Sequence, residues 1–207
     1  MPSASGSRPL TQSRKAFASI SVPVTGRTLK KINYLKAGSL LVMAVYGVVC
    51  AADPAEPGVL DRVDLVIHEA GHLLFSWFGE LPQVLGGTIG QLALPTAFTA
   101  YFHLRREFIS SAVAFFWCGQ NLLNISVYIR DAQAMALPLV SVGGGEDTIH
   151  DWNYLLSGSG SLRWDQAIGS AVYMLGIGVM LASVLWGLMH SIEGQPGDVD
   201  AVRSERS

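Results

Sequence analysis

The sequence predicts an all-α integral membrane protein, a bundle of about four to five membrane helices, one of which carries a His-Glu-x-x-His motif. Three observations predict it. Half of the 207 residues are apolar and only 14% are charged, against about a quarter in soluble domains, and the mean hydropathy is +0.35. The apolar residues gather into runs at 37–52, 81–102, 108–129 and 167–189, three of which reach or approach the roughly 20 residues that a helix needs to cross a hydrocarbon core. Charge is segregated too. No acidic residue precedes Asp53, whereas seven of the fourteen Lys and Arg do.

Residues 1–33 form a leader that is basic and rich in Ser, expected to be disordered or to lie on anionic lipid. Arg8, Arg14, Lys15, Arg27, Lys30, Lys31 and Lys36 assign the N-terminus to the cytoplasmic side of a bacterial inner (plasma) membrane. The leader is long for a signal peptide. The run that follows, extended by Ile32 to Leu35, therefore reads as an uncleaved anchor. Residues 34–190 are expected to form the membrane-embedded domain and 191–207 a polar tail. Within the domain an acidic linker (53–64) leads to the motif segment. The second run, a basic turn from His103 to Glu107, the third run, a polar loop (130–166) and the fourth run follow. Cys50 and Cys118 fall inside apolar runs and read as small hydrophobes, not ligands. Gly86-x-x-x-Gly90 is either a small-residue face for close helix packing or an incidental pair. Gly143 to Gly145 and the Ser-Gly alternation at 157–161 mark turns.

The motif segment, Leu65 to Gly79, is short for a full crossing, and Asp61, Arg62 and Asp64 crowd its start. With four spans and a re-entrant or interfacial motif helix, eleven Lys and Arg lie inside and Arg62, Arg130 and Arg163 outside. With five spans the division is nine to five, and Arg105 and Arg106 fall on the outer face. Positive charge concentrates on the cytoplasmic side, so the rule favours four.

Residues four apart share one face of a helix, so His68 and His72 can offer ring nitrogens to one metal, usually zinc. Glu69 is then placed to take a proton from a zinc-bound water, which the ion acidifies. Ala70 and Gly71 are small enough for close approach by another helix. Burying three ionisable groups in an apolar run without a metal is unfavourable. A hydrolytic site needs a third protein ligand. The continuation that supplies a third histidine in metzincins is absent, since Phe75 and Phe78 occupy those positions. Glu80 lies two turns beyond His72, and Glu107 sits in the basic turn. Asp131, ending the stretch QNLLNISVYIRDA (120–132), is one candidate. The loop sequence Glu146-Asp147-Thr148-Ile149-His150-Asp151-Trp152 is the other, with His150 and Asp151 as an alternative third ligand or as residues that orient one.

His68, Glu69 and His72, with Asn121-Leu122-Leu123 followed by Asp131, resemble the site-2 protease family of intramembrane zinc proteases. The resemblance covers roughly residues 60–135. It implies a zinc ion held by His68, His72 and Asp131, Glu69 as catalytic base, and a peptide bond in or near the membrane as substrate. The expected partners are the lipid bilayer and a peptide or membrane-protein substrate, and no nucleic acid. A metal-binding membrane protein without peptidase activity, a sensor or a complex partner, is the alternative. A di-iron oxidase would need a second Glu-x-x-His helix, which the chain lacks.

Overall fold

The computed structural model describes residues 34–137 and 150–192. The leader, the loop positions 138–149 with their triple glycine, Glu146 and Asp147, and the tail beyond Ile192 lie outside the described residues. Six α-helices follow one another: α1 (Tyr34–Ala52), α2 (Val59–Phe75), α3 (Glu80–Leu104), α4 (Phe108–Arg130), α5 (Asp151–Gly158) and α6 (Asp165–Ile192). Single 3-10 turns, Ser76–Phe78 and Leu162–Trp164, precede α3 and α6. No strand occurs among the described residues.

Against the four or five membrane helices that the sequence predicts, three helical segments among the described residues are long and apolar enough to cross a membrane. They are Tyr34–Ala52, Phe108–Arg130 and Leu162–Ser191. The run at 81–102 does form a long helix, α3. Gln83, Thr88, Gln91, Thr96 and Thr99 dilute its apolar character. The HExxH motif lies wholly on α2.

The central helix is α4, whose pairing with α6 is the most extensive among the described residues. Glycines allow that pairing. A Cβ on Gly119 would lie 2.9 Å from the Gly176 carbonyl oxygen, and one on Gly176 would lie 2.8 Å from that of Gly119, so neither position has room for a side chain. Leu40, Met43, Phe116, Leu123 and Met180 form one core where α1, α4 and α6 meet. Ile125, Ile129, Ala132 and Leu156, joined by Trp152, form a second core that holds α5 against the end of α4. On the outside, α1 exposes Leu41, Val42, Val45, Val48 and Val49, and α6 exposes Met174, Leu175, Leu181, Leu185 and Met189. Continuous apolar exposure on this scale is what a helix facing lipid shows.

The candidate site is built on α2 and α3. Asp61 starts α2 by accepting the Gly58 backbone N–H at 2.7 Å, satisfying one of the amides a helix start leaves free. Gly79, at φ 102°, turns the chain back into α3, a conformation that side chains with a Cβ rarely adopt. The two helices then cross through glycine. A Cβ on Gly71 would overlap the Gly86 carbonyl oxygen, and one on Gly86 would sit 2.6 Å from that of Gly71. The small-residue pair 86/90 therefore faces the central glycine of His-Glu-Ala-Gly-His, and this crossing brings the motif against α3.

Candidate metal centre

His68 and His72 lie one helical turn apart on α2, their rings edge to face with centroids 4.6 Å apart. The His68 ring lies directly over Gly87 of α3, where a Cβ would come within 2.6 Å of Nε2 and 2.7 Å of Cδ2 and Cε1. Each imidazole uses its Nδ1 to hold itself in place. His68 Nδ1 is 3.0 Å from Gln91 Oε1, and His72 Nδ1 is 2.8 Å from the Gln83 backbone oxygen. Both partners are oxygens that only accept, so both Nδ1 atoms carry the hydrogen and both Nε2 atoms are left as the free end of the ring.

Those two Nε2 atoms meet at one point. His68 Nε2 is 2.9 Å and His72 Nε2 3.0 Å from the same oxygen, Oδ2 of Asp151. The ligand atoms of the three residues all lie within 4.8 Å of one another. With each Nδ1 already donating, the convergence places two nitrogen lone pairs and a carboxylate oxygen face to face. Such a group is stable only with positive charge at its centre, either protons or a metal ion. The His72 imidazole responds accordingly. Its hydrogen bond to Asp151 raises its pKa to about 8 against an opposing effect of burial. Burial alone would raise the Asp151 carboxyl, but the hydrogen bonds from His68 and His72 outweigh it and leave the pKa lowered. Two imidazoles and one carboxylate, each imidazole oriented through its other nitrogen by a carbonyl oxygen, are a donor set that fits zinc.

Asp151 enters from the first turn of α5, where a carboxylate is favoured by the helix dipole. Residues on either side of it set its place. His150 caps α5, its Nδ1 accepting the Asn153 backbone N–H at 3.3 Å. Its Nε2–H then points to Asp131 Oδ2 at 3.2 Å. Asn153 Nδ2 donates to the Ala132 carbonyl at 2.8 Å, and Trp152 packs in the second core.

Asp131, assigned as third ligand by the resemblance, is not brought to His68 and His72. It caps the C-terminal end of α4 and accepts the Ala136 and Leu137 backbone N–H groups at 2.9 and 3.0 Å together with His150. Burial opposes ionisation there, but these donors prevail and hold its carboxyl below the usual range. The histidines of the motif meet Asp151, and the two candidates for the third position have different tasks. Asp151 faces the imidazoles, while Asp131 and His150 clamp the segment that presents it.

Glu69 is half-buried beside the pair and has no hydrogen-bond or ion-pair partner among the described residues. Its charge is nonetheless felt at His72. A polar layer between α2, α3 and α4, which motif reasoning did not find, backs the site. Gln91 Nε2 donates to Asn124 Oδ1 at 2.9 Å. Asn124 Nδ2 and Gln120 Nε2 donate to Asp61 Oδ1 at 2.8 and 2.9 Å. The Trp117 indole donates to the fully buried Asp64 at 2.7 Å. Burial pushes the Asp64 carboxyl up to about 6, against the pull of that indole. Four amide side chains, Gln91, Gln120, Asn121 and Asn124, inside runs otherwise apolar were the available signal, since unpartnered amides are unfavourable there.

No family model matches the sequence, and no curated protein or solved structure matches it.

Proposed function

We propose that the protein is a membrane-embedded zinc metallopeptidase whose metal is held by His68, His72 and Asp151, with Glu69 as the catalytic base. The observation that carries this reading is the convergence of two Nδ1-anchored imidazoles on one carboxylate oxygen. One residue along the helix from His68 stands Glu69, a carboxylate with no partner among the described residues. When bound, zinc would polarise the scissile carbonyl and acidify water. Glu69 would take the proton from the attacking water and return it to the departing amine, the two halves of general acid–base catalysis. With zinc on both Nε2 atoms, His68 and His72 would be neutral ligands, their Nδ1 hydrogens accepted by Gln91 and the Gln83 carbonyl.

The substrate in this reading is a peptide segment in or beside the membrane, of a bacterial inner membrane with the N-terminus inside. Four spans are favoured, α1, α3, α4 and α6, with α2 re-entrant. At 17 residues α2 is about 25 Å long, short of the roughly 30 Å core. Its outer face is apolar, exposing Val63, Val66, Leu73 and Leu74, and Trp77 and Phe78 continue that surface.

The experiment is Glu69→Gln in protein purified in detergent, with metal content and cleavage of a pooled set of single-span peptides both measured. Full zinc content with cleavage abolished is expected. Undiminished cleavage with full zinc would sink the assignment of Glu69. No cleavage by the wild type, with a cellular phenotype lost in His72→Ala but kept in Glu69→Gln, would favour a metal-binding protein without peptidase activity.

A further inference from the structure

We propose that Asp61, Asn124 and Gln91 form a directional hydrogen-bond chain that fixes which nitrogen of His68 carries the hydrogen, and so makes its other nitrogen available to a metal. The inference rests on the metal-centre reading above and deepens it, because it assigns positioning residues that, apart from Gln91, do not touch the metal site.

The direction of the chain is set at its far end. The Gly58 backbone N–H can only donate, and it is 2.7 Å from Asp61 Oδ2. The other oxygen, Oδ1, receives Asn124 Nδ2 at 2.8 Å and Gln120 Nε2 at 2.9 Å. A side-chain amide has one donating and one accepting end. Asn124, having turned its NH₂ towards Asp61, must present its oxygen to Gln91. Gln91 then gives its NH₂ to that oxygen at 2.9 Å, and only Oε1 is left for His68. Facing an oxygen at 3.0 Å, His68 Nδ1 must carry the hydrogen. That leaves Nε2, 2.9 Å from Asp151 Oδ2, as the nitrogen that can turn its lone pair to a metal shared with that carboxylate. Reversing any link reverses all those after it. A donor at position 61 would lead to a donor at Gln91, a bare Nδ1 and a protonated Nε2 that could bind no metal.

Burial makes this ordering matter. Gln91 is 2% exposed and Asn124 and Asp61 are half-buried, and hydrogen bonds shielded from water polarise one another and make a mismatched pair costly. His72 reaches the same protonation without a relay, because its partner is a backbone carbonyl. His68 has a side-chain amide instead, which can turn over, and the chain back to Asp61 is what stops it.

The test uses the full-length protein in detergent, with zinc affinity measured by chelator competition and the His68 Nδ1–H resonance followed by ¹⁵N NMR. Asp61→Asn removes the polarity while keeping the shape. It is expected to weaken zinc binding by about 10- to 100-fold, the usual effect of losing an orienting partner, and to abolish the slowly exchanging Nδ1–H signal. Gln91→Glu alone leaves Asn124 Oδ1 facing a carboxylate oxygen and is also expected to weaken binding. Combined, the two are expected to restore it. The amide introduced at position 61 can then donate to Asn124, and Asn124 to the carboxylate introduced at position 91, which accepts from His68. Purely structural roles would give losses that add. Additive losses in the double variant, or an Nδ1–H signal unchanged by Asp61→Asn, would overturn the chain. If the wild type binds no zinc, the metal reading fails, and the NMR comparison in the metal-free protein still decides the chain.

Discussion

Gly87→Ala is the sharpest probe of how α3 shapes the site. The added methyl would lie 2.6 Å from His68 Nε2 and 2.7 Å from two ring carbons. Ordinary contact begins near 3.4 Å, so the ring must retreat by about 0.8 Å, while metal–ligand distances tolerate about 0.2 Å. The ring cannot simply slide away, because Gln91 holds Nδ1. Zinc affinity should fall at least 100-fold, or about 2.8 kcal/mol, more than loss of a supporting hydrogen bond alone. Overpacking at a helix crossing should add a destabilisation of about 1–3 kcal/mol. Gly90→Ala serves as the control, since the nearest atoms to its Cβ would be the Gly71 Cα at 3.3 Å and the Ile67 carbonyl oxygen at 3.4 Å, and no His68 ring atom is among its three nearest. Chelator competition on both variants, alongside thermal unfolding in detergent, separates binding from stability. Wild-type zinc affinity in Gly87→Ala would refute the placement of the His68 ring over α3.

Three further outcomes are expected. Asp131→Ala should keep its zinc but bind it about 10-fold more weakly, because the carboxylate holds His150 and the 136–137 turn, not the ligand face; complete loss of zinc would show that Asp131 is itself a ligand. Asp64 has a folded pKa raised to about 6 by burial against about 3.9 when unfolded, so its contribution to stability is fully present below pH ~3.9 and lost as pH rises through ~6. Asp64→Asn should therefore melt higher than wild type at pH 8, by up to ~3 kcal/mol, and the gap should close at pH 4; melting curves that shift in parallel across this range would contradict it. His150→Ala should lower the protection of α5 amides from hydrogen exchange, because it removes the cap at Asn153 and the link to Asp131; unchanged protection would show that the clamp is idle.

The helical class and the placing of His68 and His72 together on one helix were legible because both follow from short-range periodicity. Four-residue spacing puts His68 and His72 on one face whatever the rest of the chain does. The third partner was not legible in the same way. Asp131 and Asp151 are both aspartates beside polar turns, and each stands next to or bonds to His150. Which one faces α2 depends on how α5 folds back from the end of α4, a long-range matter with no local signature. The amide chain was hidden for a related reason. Gln91 and Asn124 stand out against their apolar neighbours, but their donor and acceptor ends acquire meaning only once Asp61 is seen to direct them. The glycine pair 86/90 was ambiguous until Gly71 was found opposite it. Three helical segments among the described residues, not four or five, reach the length and hydropathy of a span. Helix α3 falls short because it carries amides and hydroxyls, among them the buried Gln91, which lower its apolar average.

The central claim is that His68, His72 and Asp151 hold one metal ion. Zinc content of the purified protein, measured in the wild type and in Asp151→Ala and Asp131→Ala, tests it most directly. One zinc per chain in the wild type and in Asp131→Ala, with none in Asp151→Ala, is the predicted result. Zinc retained in Asp151→Ala and lost in Asp131→Ala would contradict it.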